Sequence, residues 1–180
     1  MIYTYKEALK KYRNQYGLKK AIEKGEIFQQ KKGIYSDDKY VPELSIIATQ
    51  YPKGIFTLNS AFYYYNLTDV IPEKHYLATD RDASKIQDSN VFQIFERKDI
   101  LELGTTTIQK NGIEIRIYNK ERLLVELLRH SNKLPFDYYK EVLLNFREMI
   151  YDLDIATIQD YAYEIPKSSM IMKKLQLEVL

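Results

Sequence analysis

Two histidines, His75 and His130, lie far apart in the 180-residue chain, and there is no cysteine. A thiolate nucleophile, a thiolate metal centre and a disulfide framework are therefore excluded. No grouping of His, Asp and Glu has the spacing of zinc ligands, so no metal site is expected. Glu114-Ile115-Arg116 has the outline of a metal-nuclease strand, in which acids and a lysine hold the ion. Arg116 cannot shed its charge as that lysine would, and no paired acid lies upstream at a suitable distance. Asp80-Arg81-Asp82 reads as a solvated charged turn. The six glycines are isolated, so no phosphate-cradling loop is present. There is no G-x-S-x-G elbow for a serine nucleophile. The chain is expected to have no catalytic residues and no cofactor.

The basic residues are better organised than the acids. Net charge is +2, but residues 1–40 hold ten Lys/Arg against five acids, leaving the remainder slightly acidic. A basic head on an acidic body is the charge distribution of a small nucleic-acid reader, and also of an ordinary lysine-rich surface. Hydrophobic residues make up 45% and charged residues 29%, enough for a real core and a normal surface. No apolar run suits a membrane span. The charged, amphipathic start is not expected to be a signal peptide, and the expected compartment is the cytoplasm.

The elements that would carry the lysines follow from periodicity. Tyr5, Ala8, Leu9 and Tyr12 line one face of a helix, with Thr4 as its N-cap. Arg13-Asn14-Gln15 interrupts the pattern. A second helix turns Leu18, Ala21 and Ile22 inward and stops at Gly25. Residues 26–30 and 34–36 then form a hairpin around Lys31-Lys32-Gly33. Helix, turn, helix and hairpin with a basic tip is the order of a winged helix-turn-helix. The second helix of that fold enters the major groove, and the wing lies over phosphates.

Residues 41–53 read as a helical bridge with Leu44, Ile47, Ala48 and Tyr51 inward, and a second organisation begins at Gly54. Ile55–Thr57 is extended, and Asn59 or Ser60 caps a helix from Ala61 to Asn66. Strands are expected at 74–79 and 91–95. Residues 103–109 and 113–117 flank Asn111-Gly112, the strongest hairpin signal in the chain. Helices follow at 120–131, from Pro135, at 155–163 and at 168–180. Leu123, Leu124, Leu127, Phe136, Leu143 and Phe146 are the expected core. Arg129, Lys133, Lys140, Arg147, Lys173 and Lys174 are expected on exposed faces. Of Tyr63, Tyr64 and Tyr65, at least one should lie at an edge. The fold class is α+β: a winged helix-turn-helix over 1–40, the bridge, and a mixed domain over 54–180 with a small sheet and C-terminal helices.

Three stretches resemble the AbiEi antitoxins of type IV, or abortive-infection, toxin–antitoxin systems. Ala21-Ile22-Glu23-Lys24-Gly25-Glu26-Ile27, leading to Lys32-Gly33-Ile34-Tyr35, is similar to that family's recognition helix and wing. Gly54-Ile55-Phe56-Thr57-Leu58-Asn59-Ser60-Ala61, through Leu67-Thr68-Asp69-Val70-Ile71-Pro72, resembles its strand, helix and turn. Ile115-Arg116-Ile117-Tyr118 into Glu121-Arg122-Leu123-Leu124 is similar to a strand and an E-R-T-L helix start, with Leu123 in place of Thr. The resemblance implies a protein that represses its own operon by binding operator DNA in its promoter. It also implies a partner to be counteracted, a nucleotidyltransferase-like toxin, with or without a stable complex. Arg13, Gln15, Lys19, Lys20 and Lys24 are the expected groove and backbone contacts, with base reading by Gln15, Lys19 or Lys20. Lys31 and Lys32 are the expected phosphate contacts of the wing. The alternative is a winged-helix repressor, outside any toxin–antitoxin pair, whose C-terminal domain senses a ligand or dimerises.

Overall fold

The computed structural model describes all 180 residues. The class is α+β, with nine α-helices and two small sheets. The chain divides into two compact units, 1–53 with 111–113, and 54–110 with 114–180. No helix is long and apolar enough to cross a membrane.

The first unit opens with a strand that periodicity did not reveal, β1 (Ile2–Thr4), followed by α1 (Tyr5–Lys11) and α2 (Gln15–Glu23). Thr4 caps α1 as expected: its hydroxyl accepts from the Glu7 amide, and its own amide donates to Glu7 at 2.8 Å. The hairpin is β2 (Phe28–Lys31) and β3 (Ile34–Ser36), so Lys31 ends a strand and only Lys32-Gly33 turn. The sheet order is β1-β3-β2, antiparallel throughout. Tyr3 and Gln29 both stand opposite Tyr35, so these three share one face. There Tyr35 joins Ala8, Leu18, Ala21 and Ile27 in a core that holds α1 and α2. Ile34 and Ser36 face the other way, and α3 (Glu43–Gln50) packs on β1 and β3. The segment read as a bridge thus lies within the first unit.

The second unit has a five-stranded sheet in the order β6-β5-β4-β8-β7. Its strands are β4 (Ile55–Phe56), β5 (His75–Asp80), β6 (Val91–Glu96), β7 (Thr105–Lys110) and β8 (Ile113–Tyr118). β5 runs antiparallel to β4 and parallel to β6. The β7–β8 hairpin turns at Asn111 and Gly112, whose φ angles of 51° and 79° are those of a type I′ turn. Helices α4 (Leu58–Tyr64), α5 (Lys98–Leu101), α6 (Lys120–Arg129), α7 (Phe136–Glu148), α8 (Ile155–Glu164) and α9 (Ser168–Lys174) complete the unit. A final π turn covers Leu175–Val179.

Three expectations are corrected. Helix α4 begins at Leu58 with Thr57 as its N-cap residue. Ser60 does not cap it, because its hydroxyl accepts from the Tyr76 amide of β5 at 2.8 Å. Phe136 is 73% exposed, although it shares a stripe with buried Tyr139, Val142, Leu143 and Phe146. It occupies the first position of α7, where the stripe has run past its packing partners. Arg129 is not on an exposed face but mostly buried in an ion-pair cluster. Tyr63, Tyr64 and Tyr65 are all half-buried.

Candidate nucleic-acid interface

A turn of few residues joins α1 to α2. Arg13 takes φ 69°, and the Asn14 amide donates to the Tyr12 carbonyl at 2.9 Å, closing a γ-turn. Asn14 then caps α2 by accepting from the Gly17 amide at 2.8 Å. The turn leaves no room at Gly17: a Cβ there would lie 2.3 Å from the Tyr12 carbonyl oxygen. One glycine thereby fixes how closely α1 approaches the start of α2.

Leu18, Ala21 and the partly buried Ile22 form the inner side of α2. Successive residues turn by about 100°, so Tyr16, Lys20 and Glu23 lie opposite that side, with Lys19 and Lys24 on its flanks. Arg13, Gln15, Lys19, Lys20, Lys24 and Lys32 are exposed, while Lys31 is half-buried. Lys31 stands opposite Ile34, which places it on the sheet face that α3 covers, whereas Lys32 stands out at the turn. The structure thus groups the α2 lysines on the outer half of one helix and separates Lys31 from Lys32. Three exposed residues of this unit were not anticipated. Tyr16 is 75% exposed at the first turn of α2. Lys6 and Lys10, one turn apart, are exposed on α1.

Asp37 and Glu7 are engaged away from the α2 lysines, whereas Glu26 faces Lys24. Asp37 takes Lys11 at 2.6 Å, accepts from the Tyr3 hydroxyl at 2.7 Å, and faces the N-terminal ammonium. That hydrogen bond from Lys11 holds the Asp37 carboxyl below the usual range. Glu7 is engaged by Thr4, and Glu26 lies 3.8 Å from Lys24. Lys19, Lys20 and Lys32 enter no ion pair. Glu23 is the acid among the outward residues of α2.

The second unit buries one cluster of charges. Arg122 is fully buried and Glu126 is 2% exposed. The Arg122 guanidinium donates to Glu126 at 2.9 Å and to the carbonyls of Ile100 and Leu103 at 2.8 Å. It also lies over the Tyr118 ring at 4.3 Å. Arg129 bridges Glu96 at 2.8 Å and Glu126 at 3.2 Å, and His130 Nδ1 is 3.3 Å from Glu126. Burial alone would raise the Glu126 pKa. The His130 hydrogen bond and the charges of Arg122, Arg129 and His130 outweigh it and hold the carboxyl at about 2. Glu96 moves the other way, raised by burial and by the Glu126 charge despite Arg129. A carboxylate pinned by two guanidiniums is a poor proton acceptor, and this cluster reads as a brace between α6 and the sheet. The helix-start motif Glu121-Arg122 therefore positions elements.

The other sequence-level candidates do not assemble. Glu114 is exposed, and Arg116 is paired with Glu102 at 2.5 Å. Asp80 accepts from the Asp82 amide at 2.9 Å in a local turn. His75 lies 3.5 Å from the Tyr64 hydroxyl, and His130 is in the brace. No group of three or more His, Cys, Asp and Glu could hold a metal ion. Comparison with protein-family models and with curated proteins gives no match.

Proposed function

We propose that the first unit is a winged helix-turn-helix and that the chain is an autoregulatory antitoxin of the type IV class. One observation carries the DNA-binding part: α2 turns a lysine-bearing face outward beside a tight turn from α1, and a lysine-tipped hairpin follows it in the chain. In this reading α2 is the recognition helix and β2–β3 the wing. Gln15, Lys19 and Lys20 offer hydrogen bonds to base edges. Arg13, Lys24 and Lys32 neutralise phosphates, with counterion release supplying much of the affinity. Lys31, half-buried at the end of β2, flanks the wing's tip. Tyr16 joins the same surface through its exposed ring.

The antitoxin part rests on the resemblance of the three motifs. In that reading the second unit counteracts a nucleotidyltransferase-like toxin encoded beside it. An electrophoretic shift with the chain's own upstream DNA tests the first part, and a shift no stronger than with unrelated duplex would refute operator binding. Growth rescue on toxin induction tests the second. A repressor outside any toxin–antitoxin pair would bind DNA equally well and leave growth unrescued.

A further inference from the structure

The two edges of the second unit's sheet are built differently. The β7 edge reads Thr-Thr-Thr-Ile-Gln-Lys, a polar strand ending in lysine. The β6 edge reads Val-Phe-Gln-Ile-Phe-Glu, with no lysine or proline, and Phe92 and Phe95 are 47% and 46% exposed. Natural sheets guard their edges with charge, proline or bulges. The β6 edge has no proline and no exposed charge, because its one charged residue, Glu96, is buried.

Its unused hydrogen-bonding groups can be assigned. The carbonyls of Asn90 and Glu96 accept from the β5-side amides of His75 and Arg81 at 2.8 Å. Alternation along a parallel pair then turns the even-numbered residues of β6 toward β5 and the odd-numbered ones outward. The Val91 amide is taken by the Asp88 carbonyl at 3.1 Å. Gln93 and Phe95 therefore present N–H and C=O groups along the open edge. A cleft of about 500 Å³ is lined by the consecutive residues Phe92 to Glu96 and, among others, Tyr76, Arg129, His130 and Lys133. Its walls thus include both the strand and the end of α6. Tyr76 stacks on Phe92 with centroids 4.8 Å apart. Arg129 is already committed to Glu96 and Glu126, but Lys133 is exposed and enters no ion pair.

We infer that this cleft binds an extended, acidic peptide segment, which adds to β6 as a sixth strand. Main-chain groups of Gln93 and Phe95 supply the ladder, Phe92 and Tyr76 take an apolar side chain, and Lys133 takes an Asp or Glu. The inference is independent of DNA binding by the first unit.

The test pans the full chain against a display library of short random peptides and measures the selected peptide by fluorescence anisotropy. An acidic residue among alternating apolar ones is the expected consensus. Lys133→Glu should weaken the selected peptide about tenfold and restore binding when the peptide's acid is changed to Lys. Phe95→Pro deletes an amide that faces away from β5, so it should bind about tenfold more weakly than Phe95→Ala, which keeps that amide. The Gln93 and Phe95 amides should gain protection from hydrogen exchange when the peptide is bound. Selection without acidic preference, equal binding by Phe95→Pro and Phe95→Ala, or a dimer of this chain sealing the edge would overturn the inference.

Discussion

Replacing Glu126 by Gln leaves the buried Arg122 guanidinium without a carboxylate and Arg129 with Glu96 alone. The displacement of the Glu126 carboxyl from its ordinary 4.5 to about 2 is worth about 3 kcal/mol of native-state stability. Removing one partner of a buried pair typically costs about 3–5 kcal/mol, which agrees. The variant should therefore be about 3 kcal/mol less stable at pH 7, a large fraction of a domain's usual margin. The pH dependence has a definite sign. A carboxyl whose folded pKa is depressed contributes fully above its unfolded value and loses that contribution as pH falls. The difference between Glu126→Gln and the wild type should thus hold down to about pH 4.5 and shrink toward zero near pH 2. Glu96, shifted upward, works in the opposite sense and makes the wild type less acid-labile than Glu126 alone would. Urea-dependent hydrogen exchange of the α6 amides reads this stability within the second unit. A difference under about 0.5 kcal/mol at pH 7, or one unchanged at pH 3, would refute the brace.

Two further perturbations address the first unit. Gly17→Ala drives a Cβ against the Tyr12 carbonyl, so it should destabilise the unit by more than about 1 kcal/mol and impair DNA binding beyond that loss. Circular dichroism during denaturation and a DNA titration of the folded fraction check both effects. Thr4→Ala removes the capping box and should cost about 1 kcal/mol with no change in DNA affinity once folded. Hydrogen exchange of the α1 amides measures it.

Sequence reasoning reached the elements whose signals are local. The Thr4 cap, the break at Arg13, the inward Leu18 and Ala21, and the Asn111-Gly112 hairpin follow from spacing and turn chemistry. What it missed depends on distant partners. β1 has three residues, too few for alternation to show, and its pairing with β3 joins Ile2 to Ser36. α5 is a single turn. Arg129 read as a surface charge because arginine is seldom buried, and Arg122 was not assigned to the interior. The burial of Arg129 became legible only once Glu96, far away in sequence, was placed beside it. The Glu126 spacing one turn after Arg122 was a usable signal, since opposite charges at i and i+4 are helix neighbours. Within the interface, periodicity placed the α2 lysines outward. It could not separate Lys31 from Lys32, because that depends on where the hairpin turns.

Binding of the upstream duplex across a salt series tests the proposed DNA grip most directly. With α2 and the hairpin tip on the phosphates, log affinity falls steeply with log salt. Lys24→Ala and Lys32→Ala should each flatten that slope by about one. Affinity indifferent to salt, or both variants indistinguishable from wild type, would contradict it.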